Sequence, residues 1–285
     1  MTGDNNSLAV LISGGLRWEE KSLLHTAERA GIEMRHVHVN DLALGPCVSL
    51  PPGTVVLVRT PGYFQSIEVA EALEGMQCVV RNPRWAISVF GRKSATDLWL
   101  NKHRLPYIRS RIVFSPDAFD EVELALGYPL VLKPIIGGFG RGIHRIDSRR
   151  ELMMAWDHLS THAPAHHRCL YLQRIIDVAH DLRVLVLNRH IISTIERRNT
   201  GEFAKNIARG GCGIPYALGK HETAVLDELS PHLPSGLFGV DLLVDVTGQT
   251  HICEINAVPC FRESAALTQP NLVYDILTGL IGGHA

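Results

Sequence analysis

Two strand-type apolar runs, Gly239-Val240-Asp241-Leu242-Leu243-Val244 and His251-Ile252-Cys253-Glu254-Ile255-Asn256, flank the polar, glycine-containing segment Asp245-Val246-Thr247-Gly248-Gln249. That pattern reads as an antiparallel hairpin and commits this part of the chain to a sheet. Folding the hairpin about Thr247-Gly248 brings Asp241 opposite Glu254. Side chains alternate along a strand, so Glu254 and Asn256 share a face. Asp241, Glu254 and Asn256 then converge as three oxygen donors of the kind that suits Mg²⁺. A hairpin with a merely solvated polar face is the alternative. Lys133, far upstream in a second phosphate-type element, favours the metal reading.

Composition narrows the class. With 285 residues the chain has room for two or three modest domains with real cores. A net charge of −1 gives no basic field for nucleic acid. No apolar run is long enough to span a bilayer, and the N-terminus lacks a signal-peptide pattern, so neither a membrane nor an export route is expected. The cysteines, Cys47, Cys78, Cys169, Cys212, Cys253 and Cys260, include no C-x-x-C pair, which points to reduced thiols and a cytoplasmic location. His162, His166 and His167 cluster near one loop, where a solvated polar loop is the better reading than a zinc site because no second ligand cluster is evident.

The expected fold class is α/β, turning to α+β in the C-terminal part. Leu8–Ile12 is a strand-type run followed by Ser13-Gly14-Gly15, a tight βα turn rather than a phosphate loop, since it lacks the P-loop lysine. A helix from about Trp18 to Ala30 stops at Gly31, and Arg35–Val39, Val55–Val58 and Cys78–Val80 supply further strands. Residues 1–90 thus make a small open α/β domain. A second unit, 91–168, has a helix over Lys93–Asn101, a strand near Ile112–Phe114, a helix from about Ala118 to Leu126, and the buried strand Leu130-Val131-Leu132-Lys133. Gly137-Gly138-Phe139-Gly140-Arg141-Gly142 follows, then a returning strand, Ile143–Ile146. Glycines let backbone N–H groups approach an anion, and Lys133 places a point charge on phosphate oxygens, so Gly138 and Gly140 mark a candidate lid over a nucleotide. A flexible surface hairpin is the plainer alternative. The third unit, 169–285, holds a hairpin turning at Asn188-Arg189, with Asp181 and Arg183 on its first strand and Arg197-Arg198 after its second. Asn206 and Arg209-Gly210-Gly211 come next, and the arginines make a candidate clamp for carboxylates or an acyl phosphate. A helix from about Asn271 to Ile281 closes the chain.

These residues resemble the ATP-grasp superfamily, and within it the RimK-type carboxylate–amine ligases. The motifs that carry the resemblance are Leu132-Lys133-Pro134 with Gly137–Gly142, Asp181-Leu182-Arg183, Asn206 with Arg209-Gly210-Gly211, Gly239-Val240-Asp241, and Glu254-Ile255-Asn256-Ala257-Val258-Pro259. They run from about Gly91 to the end in matching order, and the most similar subset is the α-L-glutamate ligases that tail small coenzymes, pterins among them. Relatives that tail a ribosomal protein or charge a carrier protein in lysine biosynthesis stand slightly further off.

The resemblance implies a three-domain grasp with ATP between the central and C-terminal units. Lys93 and Lys133 match phosphate-contacting lysines, Gln173 to Ile176 the adenine hinge, and Asp181 and Asn206 positions near the nucleotide. Asp241, Glu254 and Asn256 match ligands of Mg²⁺ or Mn²⁺, and Arg183, Arg197 and Arg209 match catalytic positions near the acyl phosphate. The implied reactants are a small-molecule carboxylate and an amino acid, glutamate foremost, in a homo-oligomeric enzyme. A protein or carrier-protein acceptor, or a non-catalytic ATP-binding regulator, is the alternative. Two departures stand out: Arg174 occupies a hinge position where relatives carry Glu, and Cys260-Phe261-Arg262-Glu263 stands where they commonly have Gly.

Overall fold

The structure is a computed structural model that describes residues 9–45, 50–137, 142–163, 168–198 and 212–282. Strand β1 (Ala9–Ser13) leads through α1 (Trp18–Arg29) to β2 (Met34–His38), and β3 (Val55–Arg59) through α2 (Tyr63–Gly75) to β4 (Val79–Arg81). All pairings are parallel, in the order β2-β1-β3-β4. Both β1 and β3 are buried at every residue, as central strands of a sheet covered on both faces must be.

Helix α3 (Arg84–Phe90) and α4 (Lys93–Lys102) precede a second sheet built from β5 (Ser110–Val113), α5 (Phe119–Leu126), β6 (Leu130–Lys133), β7 (His144–Ile146), α6 (Arg149–His162) and β8 (Leu170–Arg174). Its order is β5-β8-β6-β7, all antiparallel. One face packs Leu130, Leu170 and Leu172 against Phe119, Val122 and Leu152 of α5 and α6. Because β8 pairs with β5 and β6, a unit boundary after residue 168 falls one strand early. The sequence pattern placed β8 with the hairpin that follows it, whereas its hydrogen bonds go backwards. We propose three units with that adjustment.

The third sheet has β9 (Val178–Leu187), β10 (His190–Arg198), β11 (Cys212–Pro215), α7 (Lys220–Leu229), β12 (Leu237–Asp245) and β13 (Thr250–Asn256), followed by α8 (Arg262–Leu267) and α9 (Leu272–Gly282). Its order is β11-β10-β9-β12-β13. Along β9 the residues alternate: Leu182, Val184 and Val186 join a core with α3, α4 and α7. Leu185 and Leu187 face the other way, into a core shared with Leu11 and Val55 of the first sheet, Leu23 of α1, and α9. Asp181 and Arg183 lie on that second face, beyond the point where the apolar core gives way. The turn at Asn188-Arg189 has φ of +48° and +72°, a two-residue hairpin turn that fits the twist of its strands. No described helix is long and apolar enough to cross a membrane.

Candidate active site

The hairpin β12–β13 pairs Asp241 with Glu254 and Gly239 with Asn256. The route to this register differs from a plain fold about Thr247-Gly248. Near the tip Val244 faces Thr250, and Asp245 N donates to Gln249 O, so the turn is centred one half-step earlier. The register shifts between Asp241 and Leu242, where Cys253 is the extra residue. This bulge keeps Ile252 and Ile255 in the core while turning Cys253, Glu254 and Asn256 away from it. Gly248, at φ +83°, closes the turn, and Asp245 Oδ1 accepts from Thr247 N and Gln249 N at 2.9 and 3.0 Å.

Asp241 is 7% exposed and meets two guanidiniums. Arg183 Nη1 lies 2.7 Å from Oδ1, and Arg197 Nη1 donates to Oδ2 at 3.1 Å. Arg197 also donates from Nε at 3.0 Å and from Nη2 to Asp181 Oδ1. The Asn256 amide turns its oxygen to Arg183 Nη1 at 2.9 Å and its nitrogen to Glu254 Oε1 at 3.2 Å. Burial raises the Asp181 carboxyl above its ordinary value, with Arg197 opposing the rise. Burial likewise works against the Arg197 charge, but Asp241 and Asp181 outweigh it and hold the guanidinium more firmly protonated than usual. Arg183 and Arg197, expected on substrate, are thus occupied by the protein's own carboxylates. Asp181, expected near the nucleotide, belongs to this ion-pair group. Gly239 makes room for it: a Cβ there would stand 2.8 Å from Arg183 Nη1 and 2.9 Å from Pro259 Cβ.

These residues fit a divalent cation. Asp241 Oδ1 is buried and lacks an aligned hydrogen bond despite its ion-pair distance to Arg183, so it retains lone-pair capacity. Asp181, Asp241 and Glu254 set three carboxylates against two guanidiniums. Glu254 is left with the neutral Asn256 amide as its hydrogen-bonded neighbour among the described residues. Two carboxylates and an amide oxygen are hard donors suited to Mg²⁺. No set of three or more His, Cys, Asp and Glu placed to hold a metal occurs among the described residues, and the third donor here is an amide. His162 ends α6 with its ring 4.5 Å from that of His158, while His166 and His167 lie outside the described residues.

The second sheet brings Lys133 to this hairpin. Its Nζ donates to Gln173 Oε1 at 2.5 Å and reaches within 3.9 Å of Cys253 Sγ, the neighbour of Glu254. Lys93, first residue of α4, donates from Nζ to Gly137 O at 2.9 Å, where the glycine-rich loop starts. Gly138, Gly140, Asn206 and Arg209 lie outside the described residues. Ile176 lies between β8 and β9, and Arg174 ends β8 with an exposed side chain.

Sequence reasoning missed the polar residues of the first sheet that clamp the segment after Asn256. Asn82 Nδ2 donates to Ala257 O and Leu237 O, both at 2.6 Å. Arg59 donates from Nη2 to Pro259 O at 3.1 Å and from Nε to the fully buried Glu20 at 2.8 Å, with its guanidinium over the Phe261 ring. Arg17 completes the Glu20 pair at 2.8 Å. A charged residue ending the otherwise apolar run Val55–Arg59 was the available signal.

Solved ATP-grasp proteins share this architecture. The RimK-domain ATP-grasp protein of Sphaerobacter thermophilus superposes with a TM-score of 0.75 at 19% identity, covering 96% of this chain and 97% of that one. D-alanine–D-alanine ligase of Bacillus anthracis gives 0.70 at 15%, covering 98% and 99%. The fold is the ATP-grasp fold. Residues 93–280, well over half the chain, match the RimK-like ATP-grasp domain, and the protein belongs to that family. Alpha-aminoadipate–LysW ligase LysX of Sulfolobus acidocaldarius is 22% identical over 271 residues, 93% of this chain and 98% of the relative. A probable alpha-L-glutamate ligase of Legionella pneumophila is 24% identical over 287 residues, covering 95% and 93%. The chain is an ATP-dependent ligase that forms C–N bonds, and its family uses ATP with Mg²⁺.

Proposed function

We propose that this enzyme joins the amino group of glutamate to the carboxylate of a small molecule, a coenzyme of pterin type being the foremost candidate. The observation that carries the site reading is the approach of Lys133 to Cys253 at 3.9 Å. It joins the phosphate lysine of one sheet to the Asp241–Glu254–Asn256 hairpin of another, two motifs that are 120 residues apart at this contact. Asp241, Glu254 and Asn256 would hold Mg²⁺ or Mn²⁺, which when bound offsets charge on the transferring phosphoryl group.

In the first step a substrate carboxylate oxygen attacks the γ-phosphorus of ATP and ADP leaves. Lys133 and Lys93 supply fixed positive charge to the phosphate oxygens, stabilisation that costs no reorganisation at the moment of transfer. In the second step the deprotonated amine attacks the acyl carbon, forming the amide and releasing phosphate. Arg183 and Arg197 hold the Asp241 carboxylate in place, 2.7 Å from Oδ1 and 3.1 Å from Oδ2, so their part is in building the cation site. The glutamate assignment is supported by the likeness to the Legionella ligase. The LysX likeness, over nearly the whole of both chains, favours a second reading in which the carboxylate belongs to a carrier protein. The proposal includes a cytoplasmic homo-oligomer.

The test measures ADP release with MgATP, glutamate and a panel of small carboxylates and carrier-protein C-termini, with mass spectrometry of the products. Glutamate-dependent release with a product heavier by one glutamyl residue is the expected result. Equal use of glutamine would remove the glutamate assignment. Product formed only on the carrier protein would establish the second reading.

A further inference from the structure

Helix α4 carries a second charged residue one turn after Lys93. Asp97 is 7% exposed and has no cationic partner at ion-pair distance among the described residues. Its Oδ2 accepts from Tyr171 OH at 2.6 Å and from Ser110 Oγ. Tyr171, 1% exposed, in turn accepts from Gln173 Nε2 at 3.2 Å, and Gln173, 2% exposed, presents Oε1 to Lys133. A second Gln173 contact, Nε2 to Ile108 O, is long at 3.5 Å. Burying three polar groups in a row is costly unless each is satisfied, and the row ends on the ammonium of the half-buried Lys133.

We propose that Asp97, Tyr171 and Gln173 form a directional hydrogen-bonded chain that positions Lys133 for the nucleotide phosphates. This rests on the reading that Lys133 contacts those phosphates. An ionised carboxylate accepts only, so Tyr171 must donate to Asp97. The phenol oxygen is then left to accept, which selects the Gln173 rotamer with its NH₂ toward Tyr171 and its carbonyl toward Lys133. Asp97 thereby sets the polarity of the whole row. In Asp97→Asn the new amide can present either end. The tyrosine hydroxyl is released, and Gln173 can turn its own NH₂ toward the ammonium, which repels it. Tyr171→Phe cuts the row at its middle. Asp97 and Tyr171 are positioning residues, since neither needs to touch the nucleotide, and Gln173, the first residue of the expected adenine hinge, acts on Lys133 through its side-chain oxygen.

The experiment is competition of ADP and of adenosine against a fluorescent ATP analogue, with Mg²⁺, on wild type, Asp97→Asn, Tyr171→Phe and Lys133→Met. Each of the first two variants is expected to lower the ratio of ADP to adenosine affinity roughly tenfold, the low end for a lost hydrogen bond to a charged group, with adenosine binding unchanged. A merely structural role would weaken both ligands together and lower the unfolding midpoint. The midpoint of Asp97→Asn at pH 8 is instead expected at or above wild type, because burial raises the Asp97 carboxyl and its charge is unfavourable there. A ratio within twofold of wild type in both variants, or equal loss of adenosine, overturns the proposal. If Lys133→Met leaves the ratio unchanged, the phosphate reading of Lys133 fails and the inference with it. If only Lys133→Met lowers it, the positioning chain alone is wrong.

Discussion

Arg197→Lys keeps a positive charge and removes a planar fork. The structure says what that fork does. Its Nε and Nη2 hold Asp181 while Nη1 holds Asp241, and the side chain is 11% exposed. One ammonium cannot span both carboxylates, so one of them stays buried without its partner. Removing one partner of a buried pair costs about 3–5 kcal/mol. Arg183 still stands 2.7 Å from Asp241 and the lysine can serve the other acid, which reduces the loss. An expected destabilisation of about 2–3 kcal/mol corresponds to a fall of roughly 4–10 °C in midpoint for a protein of this size. Thermal unfolding of wild type and variant without ligand measures it, and the scan is repeated with Mg²⁺. Added Mg²⁺ should raise the variant's midpoint more than the wild type's, because a cation at Asp241 replaces part of the missing charge. The loss should also shrink as pH falls. The Asp181 carboxyl is already raised by burial, and without Arg197 it takes up a proton more readily, relieving the penalty at low pH. A midpoint change under 1 °C, or a loss independent of pH and Mg²⁺, would refute this account of Arg197. The same reasoning expects ATP turnover and amino-acid use to fall together, not the amino acid selectively.

Glu254→Gln keeps the hairpin's shape and is expected to abolish Mg²⁺-dependent thermal stabilisation while slowing amide synthesis at least about a hundredfold; retained stabilisation would remove Glu254 from the cation site. Gly239→Ala pushes a methyl into Arg183 Nη1 and Pro259 and should cost about 1–3 kcal/mol in denaturant unfolding, with a weakened response to Mg²⁺. Burial alone would raise the Glu20 carboxyl, but Arg17 and Arg59 bring it below its ordinary value. Its contribution to stability is therefore complete above the ordinary glutamate range and lost as pH falls through the lowered folded value. Acid unfolding of Glu20→Gln should be flatter over that interval than in wild type, and parallel curves would count against the Arg17–Glu20–Arg59 group as a stabilising unit.

The strongest local patterns were legible because they are short-range. Two apolar runs and a glycine turn marked β12 and β13, and Asn188-Arg189 marked the β9–β10 turn. The pairing of Asp241 with Glu254 came out of the sequence although the turn is centred elsewhere, because the bulge at Cys253 restores it. A bulge leaves no period to read, so it could not be anticipated. Partners distant along the chain were illegible for a similar reason. Arg183 and Arg197 looked like surplus cations for a substrate, yet Asp181 and Asp241 face them across three strands. Helices α2, α3, α6, α7 and α8 went unread, and β8 was assigned forward because its backward hydrogen bonds are not local.

Residue type also concealed function where a polar group is buried. On α4, Asp97 follows Lys93 by four residues and would pass for a solvated i,i+4 partner, yet its carboxylate turns inward to Tyr171 and Ser110. Asn82, Arg59 and Glu20 sit at the ends of strands or in the first turn of a helix, where polar residues are ordinary. Asn82 and Arg59, the latter held by Glu20, bond Ala257, Leu237 and Pro259 and so tie the first sheet to the proposed cation site, since the backbone they hold continues directly from Asn256. The donor hairpin is thus braced from two directions, by Lys133 approaching from the second sheet and by Asn82 and Arg59 from the first. A substitution in the first sheet far from any phosphate should therefore be felt in Mg²⁺ binding. That coupling follows from the continuity of Glu254, Asn256 and Pro259 along one short stretch of backbone.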